Sequence, residues 1–471
     1  MAIAAAGLAG CATNIGDQPP AVAAKTPGAA APEVTKPEVI KKNPYPSTYQ
    51  PLPSVATIIT NATVLTGTGE SLEGASVMIR DGKIAAVGSD LDIPGDITVI
   101  DAAGKWVTPG IIDVHSHLGV YPSPGIDATG DGNEATSPNT AEVWAEHSVR
   151  PQDPGFTRAL AGGVTAMQIL PGSANLFGGR GVTLKNVPSR TMQGMKFPGA
   201  PQGLKMACGE NPKRVYGGKK RSPSTAMGNV AGYRKAWARA VEYKRQWDKY
   251  YAKKENDAKP PKRDLRMDTL VGVLEGEILI HNHCYRGDEM AVMIDIAKEF
   301  GYRITAFHHA VEAYKVADIL AGNGVCAAMW SDWWGFKLEA YDGIKENIAF
   351  VDNAGACAIV HSDSEVGIQR LNQEAAKARA DGNAAGLDIS RGHAIKWITL
   401  NPAKALGIAE DTGSLEIGKN ADVVIWDRDP FSVYAKAETV FIDGAVMYDR
   451  HDPARQPIVD FELGQTFEGV R

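Results

Sequence analysis

The chain has 471 residues, a formal net charge of −6 and a hydrophobic fraction of 44%. That length suits one large domain with appendages or two to three domains, and the mildly acidic balance leaves no footprint for nucleic acid. No apolar run reaches transmembrane length, and the 5 cysteines, scattered without a CxxC, suggest neither a disulfide framework nor a zinc finger.

"MAIAAAGLAGCATNIGDQPP" opens the chain. Small apolar residues lead to Cys11, and LAGC resembles a bacterial lipobox, although no Lys or Arg precedes it. The Pro- and Ala-rich stretch that follows reads as a tether, which gives residues 1–54 as leader and tether. The expected location is the cell envelope or periplasm, with a membrane tether through lipidated Cys11. The cytoplasm is the alternative if the start is misassigned. From Val55 short β-rich runs alternate with Gly, Asn and Asp turns, and "VMIRDGKIAAVG" is a hairpin about Asp81-Gly82. "GSLEIGKNADVVIWDRD" and "AKAETVFIDGAVMYD", with Asp443-Gly444 at a turn, repeat that texture. Residues 55–109 and 407–450 are therefore expected to form one small β-sandwich-like domain built from both chain ends, with 451–471 as a tail.

Between them, residues 110–406 alternate helix and strand, as in "DEMAVMIDIAKEFGYRITAFHH" and "IKENIAFVDNAGACAIVHSD". Such alternation implies a parallel sheet. The length fits an α/β fold of the (β/α)8 TIM-barrel type. A doubly wound open sheet is the alternative, but no GxGxxG follows the first strand. "PGSANLFGGRGVTLK" is Gly-rich, matches no phosphate-binding loop, and reads as an active-site loop. "GYRKAWARAVEYKRQWDKYYAKKENDAKPPKRDLRMD" reads as a solvated helical insertion followed by a Pro-broken loop.

In a barrel of this kind the chemistry sits at the C-terminal ends of the strands. "GIIDVHSHLGVY" places His115 and His117 two apart, so on a strand both point the same way. Two neutral imidazoles aimed at one spot can grip a metal, although an isolated pair is as well explained as a solvated strand end. Further strand ends then carry His281 and His283, His308 and His309, and His361 with Asp363, while "GLKMACGENPKR" supplies Lys205 and Glu210. Core packing alone does not explain that distribution. Imidazoles with a carboxylate in an open site are what a divalent ion needs for hydrolysis.

"PGIIDVHSHL", and "TLNPAKALGI" followed by "GSLEIGKNADVVIWD", resemble signatures of the amidohydrolase superfamily, and the likeness runs from about Val55 to Tyr448. The texture is closest to the branch of imidazolonepropionase-like enzymes and certain metal-dependent prolidases and dipeptidases. The resemblance implies a metal-dependent hydrolase of an amide C–N bond in a small-molecule amide or dipeptide. It also implies a divalent metal, zinc first, as one or two ions. His115 and His117 match the first-strand metal pair. Lys205 matches the carboxylated lysine that bridges two metals in binuclear members, with Glu210 as rival. The fifth-strand ligand is His281 or His283, and its spacing to the next helix selects His283. His309, followed by Ala310, matches the sixth-strand ligand. Asp363 matches the eighth-strand aspartate, a metal contact and the catalytic general base that becomes a general acid. Tyr285 and Arg286 beside the cage are substrate-binding candidates. Arg286 either pairs with a substrate carboxylate or makes a salt bridge with Asp288 or Glu289. "SDWWGFKLEAYDG" is ordinary packing or an apolar pocket wall. The alternatives are a deaminase or esterase of the same fold, and a non-catalytic envelope binding protein.

Overall fold

Turn chemistry and strand alternation build the first sheet. In this computed structural model residues 43–123, 125–253 and 259–456 are described. Cys11, most of the expected tether and most of the expected tail lie outside the described residues. Strands β1 (Thr57–Leu65), β2 (Ser71–Arg80), β3 (Lys83–Gly88), β4 (Thr98–Asp101) and β5 (Trp106–Pro109) come first. The turn between β2 and β3 holds Asp81 at φ 53° and Gly82 at φ 74°, the left-handed pair a tight hairpin requires.

The barrel strands follow: β6 (Ile111–Ser116), β7 (Val164–Ile169), β8 (Phe177–Lys185), β9 (Gln202–Ala207), β10 (Ile278–His283), β11 (Ala306–His308), β12 (Cys326–Met329) and β13 (Cys357–Val360). They form one eight-stranded sheet in sequence order. The gap between first and last is bridged where the Asp363 amide donates to the His115 carbonyl at 3.1 Å, and the Ser362 amide to Asp113 at 3.2 Å. Seven strands run parallel, but β8 is antiparallel to both neighbours. That corrects the all-parallel expectation. The chain between β7 and β8 is too short for a crossover helix, so it turns back as a hairpin. The Gly-rich stretch read as an active-site loop is mostly this strand, buried along its whole length.

β14 (Val423–Trp426), β15 (Ala437–Ile442) and β16 (Ala445–Asp449) return to the first sheet, where β14 pairs with β5. Strands from both chain ends thus share one sheet and an apolar core that includes Ile59, Val77, Val107, Val423 and Phe441. Packing also begins before Val55. Tyr49, in the expected tether, is buried, and its hydroxyl donates to Asp443 at 2.5 Å.

The long helix Ala226–Ala252 is less solvated than its charge suggests. Tyr233, Trp237, Ala240, Tyr243 and Trp247 recur at helical spacing and are buried. Trp237 stacks on Tyr302 at 4.2 Å. The solvated-insertion expectation is therefore corrected: the aromatic residues form a packing face, and the charges its outer side. Among the described residues no helix is long and apolar enough to cross a membrane.

Candidate metal centre

Strand register brings the polar residues of the barrel mouth together. Lys205 on β9 lies opposite His281 on β10, and His283 lies opposite His308 on β11. His309 and Asp363 sit just past their strands at φ 57° and φ 48°. Side chains other than glycine rarely adopt that left-handed backbone, and such residues concentrate at functional sites.

His115 Nε2 lies 3.3 Å from His117 Nε2, 3.2 Å from Lys205 Nζ and 3.5 Å from Asp363 Oδ1. His117 Nε2 lies 3.0 Å from Asp363 Oδ1, and His309 Nε2 lies 3.7 Å from Asp363 Oδ2. His117 Nδ1 is 2.8 Å from the Leu170 carbonyl, which can only accept. A neutral His117 therefore turns an Nε2 lone pair toward a carboxylate oxygen and a second imidazole nitrogen. Acceptors that converge in this way suit a cation, and a ligand imidazole bonded through its other nitrogen to a carbonyl is the usual support of a metal site. Among the described residues, three groups have ligand atoms within 4.8 Å of one another: His115 with His117 and Asp363, and His115 with His309 and His361, at this mouth, and Cys208, Cys284 and Glu289, whose two sulfurs are joined in a disulfide. The residues of the first two groups fit a divalent cation.

Burial pushes His115, His283, His308 and His309 well below the usual imidazole value. They stay neutral, as ligands must. Burial also pushes the Lys205 ammonium down to about 7. Burial would raise the Asp363 carboxyl, but the cationic and imidazole groups around it, among them Lys205 and His361, outweigh it and hold the group below the ordinary carboxylate range.

The expected residues divide in two. His115, His117, Lys205, His309 and Asp363 converge. His283 is adjacent, its ring 4.8 Å from His309, but its Nε2 faces Asn211 Nδ2 at 3.3 Å. Glu210, the rival to Lys205, opens the helix Glu210–Gly217 and lies 3.5 Å from Lys337 Nζ, among the charges of the mouth. Arg286 forks onto Asp288 at 3.0 Å through two nitrogens on the surface, so the salt-bridge alternative describes it. Tyr285 stacks on His309 at 5.7 Å beneath Lys337, whose Nζ is 3.8 Å from the ring centroid. Trp330 stacks on His309 at 4.5 Å and Trp333 on Trp330 at 5.1 Å, with Phe336 edge-on at 5.9 Å. The double-tryptophan segment is thus a wall of the centre.

Three features escaped sequence reasoning. His361 Nε2 meets His309 Nδ1 at 2.8 Å, although only its strand-end position was a signal. Asp113 accepts from the amides of His115 and Ser362 and from the Ser362 hydroxyl, which ties the first strand to the turn carrying Asp363. Four cysteines pair as Cys208–Cys284 and Cys326–Cys357, contrary to the expectation of no framework. Partners 76 and 31 residues apart meet only because their strands are neighbours.

A model of the amidohydrolase family matches residues 353–448. The solved structure of an amidohydrolase from Thermotoga maritima MSB8 superposes with a TM-score of 0.76 at 34% identity, covering 84% of this chain and 100% of that one. Amidohydrolase tasK of Hapsidospora irregularis is 33% identical over 432 residues, which is 83% of this chain but 43% of that protein, so the chain spans less than half of its length. The imidazolonepropionase of Agrobacterium fabrum is 22% identical over 380 residues, 76% of this chain and 85% of that protein.

Proposed function

The chain belongs to the amidohydrolase family, and from that membership we propose that it hydrolyses an amide C–N bond in a small molecule, with Asp363 moving the proton. The observation that carries this reading is the convergence of His115 Nε2, His117 Nε2 and Asp363 Oδ1 within 3.0–3.5 Å. His115, His117 and Asp363 would hold one divalent cation, zinc by preference. His309 and His283, with Lys205 as a carboxylated bridge, would complete a second position. When bound, such an ion lowers the pKa of water and polarises a carbonyl.

Asp363 is ionised at neutral pH and lies at the focus of the cage, so it can take a proton from attacking water. The same carboxyl then returns that proton to the leaving nitrogen, a poor leaving group unless protonated. Lys205 near 7 has a neutral amine fraction available for carboxylation. Tyr285, Trp330 and Phe336 would receive the substrate's apolar part, and Tyr285 is the substrate-binding residue of this reading.

For location we infer the cell envelope, with lipidated Cys11 as the tether. The two disulfides support an oxidising compartment. The test of function is elemental analysis of purified protein with a panel of dipeptides, acylated amino acids and lactams. Bound divalent metal and turnover of an amide are expected. Metal-free protein with no activity after added zinc, manganese or cobalt overturns the reading.

A further inference from the structure

His115 offers only one nitrogen to the cage. Its Nδ1 lies 2.9 Å from His308 Nδ1, and His308 Nε2 lies 2.9 Å from His281 Nδ1. All three rings are fully buried. A ligand imidazole is neutral, and a string closed by two N···N contacts, with no carboxylate on His308 in either of them, holds one ring proton per imidazole. An N···N hydrogen bond needs its proton on one side only. The three rings therefore have two arrangements, which run in opposite directions.

If His115 keeps an Nε2 lone pair for a cation, its proton sits on Nδ1 and is donated to His308 Nδ1. His308 then donates from Nε2 to His281 Nδ1, and the last proton sits on His281 Nε2. That atom has no hydrogen-bond partner among the described residues, and neither does either end of the Gln168 carboxamide. Gln168 is fully buried as well. Both side chains close over Gly203, where an added Cβ would stand 2.8 Å from Gln168 Nε2 and 2.9 Å from His281 Cδ2. Gln168 is the buried carboxamide beside the same glycine, and one buried water between the two side chains would carry the last proton's hydrogen bond to it.

We propose that His308, His281 and Gln168 are positioning residues that fix the proton of His115 on Nδ1 and so preset its Nε2 as a metal ligand. The proposal rests on reading the cage as a metal site. It adds a direction: each ring in the string donates away from the cage.

The test uses the whole chain, stripped with a chelator. Zinc affinity is measured by competition with a chromophoric chelator, and the cobalt(II) absorption spectrum is recorded, for wild type, His308→Leu, His308→Gln and Gln168→Leu. His308→Leu is expected to weaken zinc binding about 10–100-fold, the range for residues that support a ligand imidazole. Glutamine at 308 can accept from His115 and donate to His281, so His308→Gln should recover most of the affinity and the wild-type cobalt spectrum. Gln168→Leu should lose affinity in the same direction, by less, and it carries the comparison if His308→Leu does not fold. Unchanged affinity in the leucine variants overturns the proposal. So does an equal loss in His308→Leu and His308→Gln, which would mark packing rather than proton direction. Wild type that binds neither ion overturns the metal reading itself.

Discussion

Two buried polar clusters, one at the barrel mouth and one beside the sheet shared by both chain ends, handle charge in opposite ways. In the second, Lys185 at the end of β8 donates to Asp443 at 2.8 Å, and Tyr49 donates to the other Asp443 oxygen. Asp422 lies 3.9 Å from the same ammonium and accepts from the Asp443 amide and the Thr412 hydroxyl. There donors meet acceptors, and the cluster is complete as it stands. At the mouth, His115, His117 and Asp363 turn ligand atoms on one another within 3.0–3.5 Å, and Lys205 Nζ, 3.2 Å from His115, does not supply donors enough for them all. Burial alone therefore does not mark a functional site. The mark is a buried cluster whose protons do not add up without a ligand.

Substitutions should separate the two. Asp363→Asn keeps size and an oxygen but cannot take a proton at neutral pH. Its kcat on an amide should fall about 10²–10⁴-fold, with metal content little changed. Near-normal turnover would move the proton role elsewhere, to His361 or Glu210. Lys185→Met should do the reverse. Removing one partner of a buried ion pair costs about 3–5 kcal/mol of stability, read as a lower urea midpoint, while metal bound per folded molecule stays the same. Loss of metal without loss of stability would erase the distinction between the clusters.

Acid should act through the mouth. Burial holds His281 at about 3 and His361 at about 4 in the fold, whereas an unfolded chain protonates histidine near 6.5. Between these limits the unfolded state binds more protons. Stability of the metal-free protein should therefore fall as pH drops from about 6.5 toward 4, by up to about 1.4 kcal/mol per pH unit for each histidine. A flat urea midpoint across that window would show that neither ring is held neutral. The smallest effect is expected at Arg286, whose guanidinium is already engaged by Asp288. Arg286→Ala should leave KM and kcat near wild type, since exposed pairs contribute about 0–1 kcal/mol. A large KM rise at constant kcat would return Arg286 to the substrate.

His115 and His117 were legible because a two-residue period on an apolar strand leaves a clear pattern. Lys205, His309 and Asp363 were legible once the resemblance fixed which strand ends mattered. The direction of β8 was not. Gly178, Gly179 and Gly181 carry no hydrophobic alternation, so a buried strand reads as a loop. Glycine is there because backbone comes close: a Cβ on Gly179, at φ 118°, would stand 2.5 Å from the Val143 carbonyl. The disulfides and the imidazole string stayed hidden for a related reason. Both depend on which strands are neighbours, and spacing along the chain does not encode that.

The sheet shared by both chain ends sets a clock on synthesis. The Trp426 indole of β14 donates to the Thr108 hydroxyl of β5 across 318 residues. At the usual pace of translation β5 waits about 15–60 s for that partner. Through that interval its edge is an open template for pairing with other chains. A nascent chain of this design has most need of a chaperone during that wait, before its last strands arrive.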